Sequence, residues 1–223
     1  MDKHVVFVTG GTGYIGSRLI PRLAERGHTV IALVRKGSER KLPAGCRAVT
    51  GDALDAATFV QQTAGADTFV HLVGVSHPSP AKAAEFRRVD LVSVQQAVAA
   101  AAQNGIRHFV YLSVAQPAPF MKEYVAVRAE GERLIRESGM RATFLRPWYV
   151  LGPGHRWAYA LLPAYWLLAR IPSTRDGATR LGLVTLYDIV RTLVDVVERP
   201  PDGIRIVEVP DMRQSLPSPN KKS

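Results

Sequence analysis

The segment Val8-Thr9-Gly10-Gly11-Thr12-Gly13-Tyr14-Ile15-Gly16 constrains this chain more than any other stretch. It follows Val5 to Val8, a short β-branched and aromatic run of the kind that forms a strand buried on both faces. It precedes Ile15, Leu19, Ile20 and Leu23, which recur at helical spacing until Gly27 offers a stop. Glycines 10, 13 and 16 stand where that strand turns into that helix. At such a turn the first glycine permits the tight bend, the second lets main chain approach a diphosphate, and the third lets helix pack on sheet. The helix start adds unpaired N–H groups and the positive end of its dipole. A merely structural turn is the plainer alternative, and the first-strand position and helical sequel count against it. Pro21 inside the expected helix is a local conflict, since it removes the bond to the Ser17 carbonyl and is expected to kink the helix.

Beyond this turn the apolar period keeps changing. Thr29 to Val34, Phe69 to Val73, Phe109 to Leu112 and Ala142 to Leu145 read as strands. Leu91, Val94, Val98 and Ala101 mark a helix closed by Asn104-Gly105, and Glu130 to Glu137 marks another closed by Gly139. Strands that are near-uniform hydrophobic runs, alternating with helices, predict an α/β fold with a Rossmann-like, doubly wound, mostly parallel sheet covered on both faces. After Pro147 the rhythm breaks at Gly152, Pro153, Gly154, Pro163, Pro172 and Gly177, then helical spacing returns at Ile189, Leu193 and Val197 and a strand at Ile204 to Val209. The expected organisation is one domain over 1–212, with a core at 1–150 and a reduced substrate-side lobe at 151–212. A Ser/Pro/Asn/Lys-rich tail over 213–223 is expected to be disordered. A length of 223 residues suits one such core.

The end of the second strand discriminates between dinucleotides. An acidic residue about 20 residues past the glycine turn accepts from the ribose 2′-hydroxyl of NAD. Here Leu33-Val34-Arg35-Lys36-Gly37-Ser38 holds no carboxylate before Glu39. Arg35 can meet a 2′-phosphate with a bidentate, charge-assisted pair, so NADP(H) is expected over NAD(H). The alternative is a solvated basic loop.

Composition excludes other classes. The single cysteine, Cys46, read as part of a loop, allows no internal disulfide, and with no signal-peptide pattern a cytoplasmic setting is expected. No apolar run reaches the roughly 20 residues that span a bilayer. The six histidines lack metal-ligand spacing, so no metal site is expected, and His71 reads as strand packing. Neither a nucleophile elbow nor a triphosphate-binding loop is present. The net charge of +10 comes from 29 basic against 19 acidic residues. Arg35, Lys36, Arg40 and Lys41 give part of it a local purpose, and the rest is dispersed without any pattern for specific nucleic-acid recognition.

Thr9 to Gly16 resembles the signature of the extended and atypical branches of the short-chain dehydrogenase/reductase superfamily, of the NAD-dependent epimerase/dehydratase-like, NAD(P)H-binding type. Gly51-Asp52-Ala53 resembles its adenine-contacting segment and His71-Leu72-Val73-Gly74 its loop beside the cofactor. Tyr111-Leu112-Ser113 is similar to its serine strand, and Arg146-Pro147-Trp148-Tyr149-Val150-Leu151-Gly152-Pro153-Gly154 to its R-P-x-x-V-x-G-P-G segment. The resemblance spans most of residues 4 to 210. It implies cofactor contacts at Gly10, Thr12, Gly13, Tyr14, Ile15, Gly16, Arg35, Asp52, Ala53, Leu72, Val73, Gly74, Ser113, Tyr124, Arg128, Pro147 and Val150.

The resemblance also implies a catalytic group at Tyr124-Val125-Ala126-Val127-Arg128, where the family carries Tyr-x-x-x-Lys. Residues four apart share a helix face, so tyrosine can pass a proton while the cation holds ribose hydroxyls. Here arginine replaces the lysine, a bulkier fork with differently directed charge. Tyr124, Ser113 and Arg128 are the catalytic candidates; the plain alternative is a helix-face tyrosine with Arg128 paired to Glu132 at i+4. Two functions follow: an NADPH-dependent oxidoreductase acting on a small carbonyl or quinone-like substrate, or a non-catalytic NADP(H)-binding regulator or accessory subunit. The apolar stretch 157–168 admits a hydrophobic pocket wall, a dimer or peripheral membrane contact, or plain lobe core.

Overall fold

In the computed structural model, which describes residues 2–153, 177 and 179–213, the chain's buried runs pair side by side. β1 (Val5–Thr9), β2 (Thr29–Val34), β3 (Cys46–Thr50), β4 (Thr68–His71), β5 (His108–Leu112), β6 (Arg141–Arg146) and β9 (Ile204–Glu208) form one sheet in the order β3-β2-β1-β4-β5-β6-β9. Every neighbouring pair is parallel. β7 (Tyr149–Leu151) and β8 (Leu183–Thr185) form a separate parallel pair.

The helices are α1 (Gly16–Glu25), α2 (Ala83–Glu85), α3 (Val92–Gln103), α4 (Lys122–Glu137), α5 (Leu186–Glu198) and α6 (Val209–Arg213). A π turn over Phe86–Leu91 joins α2 to α3. On one face of the sheet Val6, Val8, Val30, Val70, Val110 and Leu145 pack against Leu19, Ile20 and Leu23 of α1 and Ile189, Leu193 and Val197 of α5. On the other, Phe7, Ile31, Phe69, Phe109, Tyr111 and Phe144 pack against Val94, Ala97 and Ala101 of α3 and Ile135 of α4. The rings of Phe69 and Phe109 stack 5.1 Å apart across β4 and β5. Alternate side chains enter opposite cores, which is why each strand reads as an unbroken apolar run.

The chain leaves β1 toward β2 on one side and returns to β4 on the other, so the strand order reverses beside β1. A crevice at the carboxyl ends of the strands opens at such a reversal.

Several expectations need correction. Cys46 begins β3 rather than lying in a loop; β3 is an edge strand, half exposed, and so lacks the apolar run that marks the others. β4 ends at His71 rather than Val73, because Leu72 and Val73 run against the backbone of Gly10. α4 begins at Lys122 and takes the Tyr124–Arg128 face and the Glu130 to Glu137 stretch, read separately in the sequence, into one helix. α1 runs on through Pro21 to Glu25. Val209 leaves β9 to open α6, and Arg213 belongs to that helix rather than to the tail, its Nε donating to the Leu183 carbonyl at 2.6 Å. The stretch 157–168 and the tail beyond Arg213 lie outside the described residues. No helix among the described residues is long and apolar enough to cross a membrane.

Candidate functional site

The glycine turn is built by close backbone approach. Gly10 has φ +79, and a Cβ there would lie 2.8 Å from the Leu72 carbonyl carbon. A Cβ at Gly16 would collide with the Gly10 carbonyl oxygen. Gly13 N–H donates to that same oxygen at 3.0 Å, and Ser17 N–H donates to the Gly13 carbonyl at 3.0 Å. The turn therefore closes on itself and starts α1 directly beneath the strand ends.

Beside it lies a cleft of about 440 Å³. Gly10, Thr12 and Gly13 line it from the turn, Arg35 from the end of β2, Asp52 and Ala53 from the exit of β3, and Leu72, Val73 and Gly74 from the exit of β4. Four separately expected segments thus share one wall. Asp52 is fixed by its own turn, its Oδ1 accepting from Leu54 N–H at 2.9 Å. Glu39 accepts from Gly37 N–H at 3.0 Å beside the exposed Arg35, and its own N–H and that of Gly37 hold its carboxyl below the ordinary glutamate range. Leu54, Val75, Ser76, Glu85 and Val89 also line the cleft and were not foreseen. The i,i+4 spacing of Glu85 and Val89 puts both on one helical face, a signal the sequence does carry.

The other expected contact residues lie elsewhere. Ile15 packs into the core and Gly16 against Gly10. Tyr14 stacks under the Arg18 guanidinium, 5.0 Å from its ring centre, with its hydroxyl against Gly152. Val150 sits in β7 against the core, and the Pro147 carbonyl accepts from Ala115 N–H at 3.0 Å. These residues shape the surroundings of the cleft without lining it.

Arg128 is buried and faces inward. Its Nη2 donates to Asp90 Oδ1 at 2.6 Å and its Nη1 to the Leu112 carbonyl at 2.9 Å. A Cβ on Gly74 would strike the guanidinium. The expected alternative, pairing with Glu132, is corrected: the partner is Asp90, from the π turn. Burial raises the Asp90 carboxyl, with Arg128 opposing, and Asp90 Oδ2 also accepts from Val75 N–H at 2.9 Å, pinning the loop that lines the cleft.

Glu132 is already filled. Its Oε1 accepts from Ser113 Oγ at 2.6 Å, Gln116 Nε2 at 2.8 Å and Arg146 Nε at 2.8 Å. Its Oε2 accepts from Arg146 Nη2 at 2.6 Å and Arg136 Nη2 at 3.0 Å. Burial alone would raise this carboxyl, but the bonds from Arg146 and Ser113 outweigh it and hold it low. Ser113 is itself buried, and its hydroxyl donates to Glu132.

Tyr124 is half-buried on α4. Its ring is 5.0 Å from that of Phe86 and 5.2 Å from the Arg128 guanidinium carbon. It does not line the 440 Å³ cleft but a smaller one beside it. A further chain of buried polar groups was missed: His71 is hydrogen-bonded to Thr9 Oγ1 at 2.8 Å and Ser93 Oγ at 3.2 Å, and Ser93 Oγ donates to the Asp90 carbonyl at 3.0 Å. It joins the end of β1 to the Asp90–Arg128 pair.

Comparison with known proteins adds the family. Residues 10–160 match a family described as NAD(P)H-binding. A ceramide reductase of Caulobacter vibrioides is 28% identical over 95% of this chain and 66% of its own length. A 4-hydroxy-2-methyl-3-oxo-4-farnesyl-3,4-dihydroquinoline-1-oxide ketoreductase of Stigmatella aurantiaca is 28% identical over 66% of this chain. The chain spans half the length of that ketoreductase. Among solved structures, the Bordetella bronchiseptica enzyme WbmH in complex with NAD+ superposes with a TM-score of 0.67 at 24% identity, covering 91% of this chain and 75% of its own. The family match begins at the first glycine of the turn and runs through β6, taking in the cradle and the strands that build it; the chain belongs to the NAD(P)H-binding family.

Proposed function

We propose that this chain holds NADP(H) in the cleft at the strand reversal and uses it to reduce a small, hydrophobic carbonyl or quinone-like substrate. The observation that carries this reading is the single wall formed by the glycine turn, Arg35 and Asp52-Ala53. The residues present fit the cofactor. Gly10 and Gly16 let main chain pack on main chain closer than any Cβ allows, which sets the turn that lines the cleft with Gly10, Thr12 and Gly13, and exposed Arg35 supplies the fork a 2′-phosphate needs. Relatives named as reductases support the reaction class.

Bound NADPH would supply the hydride that such a reduction needs, with Gly10, Thr12, Gly13 and Arg35 the residues that would hold it. Tyr124 delivers the proton to the carbonyl oxygen, giving the alcohol, and regains a proton from water. Arg128, neutralised by Asp90 and bonded to the Leu112 carbonyl, fixes the α4 face on which Tyr124 stands. Ser113 donates a hydrogen bond to Glu132 and ties the end of β5 to α4.

The cofactor reading is tested by fluorescence titration with NADPH and NADH. NADPH is expected to bind more tightly, and Arg35→Ala to weaken it about tenfold or more, the worth of a charge-assisted hydrogen bond. Equal affinities for both cofactors, unchanged in Arg35→Ala, would end the NADP(H) assignment. One observation favours a second reading, a non-catalytic NADP(H)-binding regulator or accessory subunit: Arg128 and Ser113 are both engaged within the protein. NADPH oxidation over a carbonyl and quinone panel separates the two. The reductase reading expects turnover that falls about 100-fold in Tyr124→Phe; tight binding with no turnover on any compound favours the second.

A further inference from the structure

Tyr124 forms one wall of an apolar cleft of about 180 Å³, separate from the wall that Arg35 and the glycine turn share. Phe86 is buried in it, 5.0 Å from the Tyr124 ring, with Pro80 and Ala83 from the stretch before the π turn and Met121 from the start of α4. Two charged neighbours, Lys122 and Glu123, share its lining, and Glu123 is engaged by Arg87 at 3.0 Å. A site of this kind offers a polar ligand little and an apolar one contact with carbon on several sides. Its volume is close to the about 150 Å³ that accommodates a benzene ring in an apolar cavity.

We propose that this cleft takes the apolar arm of the carbonyl substrate, an aryl ring or a straight chain of about six carbons. The inference rests on the reading of Tyr124 as proton donor: among the described residues, the cleft that Tyr124 itself lines is apolar and adjoins any carbonyl delivered to it. Polar-armed carbonyls, such as sugars, are expected to bind more weakly, because apart from Lys122 and Glu123 the cleft offers their hydroxyls no partners.

The test is a series of straight-chain 2-alkanones, with acetophenone, titrated by calorimetry against the protein alone and against the protein saturated with NADP+, where no turnover occurs. Affinity is expected to rise about fourfold per methylene, the value of burying each, and to level off at about six carbons in the arm. Ala83→Trp, which fills the cleft, is expected to flatten the rise, read as the ratio of long to short ketone within that variant. Met121→Ala, which enlarges the cleft, is expected to move the plateau to longer chains. A length dependence that is flat in the wild-type protein, or the same in both variants, overturns the inference. Loss of NADP(H) binding or of turnover would instead strike the reductase reading, since titration against the protein alone still reports the cleft.

Discussion

Arg128 and Asp90 form the ion pair at the centre of the polar layer, and both are almost wholly removed from water. Removing one partner from a buried pair leaves an uncompensated charge and costs about 3–5 kcal/mol. Arg128→Met and Asp90→Asn are each expected to lose stability on that scale in urea denaturation. The double variant is expected to lose less than the sum; strict additivity would show that the two do not depend on each other. Arg128→Lys keeps the charge but not the fork that reaches both Asp90 and the Leu112 carbonyl, so it is expected to recover only part of the loss. At this scale the sequence is half legible. The spacing of Tyr124 and Arg128 announces a shared helix face, whereas the partner of Arg128 stands 38 residues upstream on a turn that no local pattern marks. Glu132, the neighbour that spacing favours, has its oxygens filled by Ser113, Gln116, Arg136 and Arg146, three of which come from nearby in space or on the next strand.

The turn between β1 and α1 depends on close backbone approach, and comparison with a glycine outside it isolates that effect. Gly16→Ala drives a methyl into the Gly10 carbonyl, backbone that cannot rotate away, and is expected to cost about 3 kcal/mol and to abolish NADPH binding with it. Gly37→Ala, at φ +80 in the turn after β2 with nothing within 4 Å, bears only the left-handed backbone penalty of about 1 kcal/mol. Thermal melts and a cofactor titration on both variants check the contrast, and equal losses would mean that close approach at Gly16 is unimportant. Elements were legible where burial was two-sided. β1, β2, β5 and β6 each carry four or more consecutive buried residues, and their continuous apolar runs report it. β3 at the sheet edge and the three-residue β7 and β8 bury too little in a row to leave such a trace. The apolar period marks α4 only from Glu130, and its earlier turns were legible only through the Tyr124–Arg128 spacing, since Pro117 and Pro119 just upstream make the approach to Lys122 look like loop.

Across the whole molecule the sheet interior sets the response to acid. Two histidines stand on the strands with no room for a charged form: burial pushes His71 down to about 3, with Arg128 adding to the effect, and His108 down to about 4, with Arg141 adding. An unfolded chain takes up the same two protons near pH 6.5. Both folded values are depressed, so their contribution to stability is complete above pH 6.5 and is lost as pH falls toward 4 and 3, where the folded form at last accepts the protons. Between pH 7 and 5.5 the two together are expected to lower the unfolding free energy by about 2 kcal/mol. That window lies above the range in which Glu132, Asp67 and Glu198, all held low by their partners, begin to add their own losses. His108 is bonded to Thr68 Oγ1 and Thr143 Oγ1, hydroxyls that an amide can also satisfy, so His108→Gln is expected to fold and to lose about half as much over the same interval. Urea melts at the two pH values give the comparison directly. Equal stability at pH 7 and 5.5 would mean that both rings take up protons in the folded form, and a loss halved in the wild-type protein that only one does, the first place to look being His71, whose hydrogen bonds link the end of β1 to the Asp90–Arg128 pair.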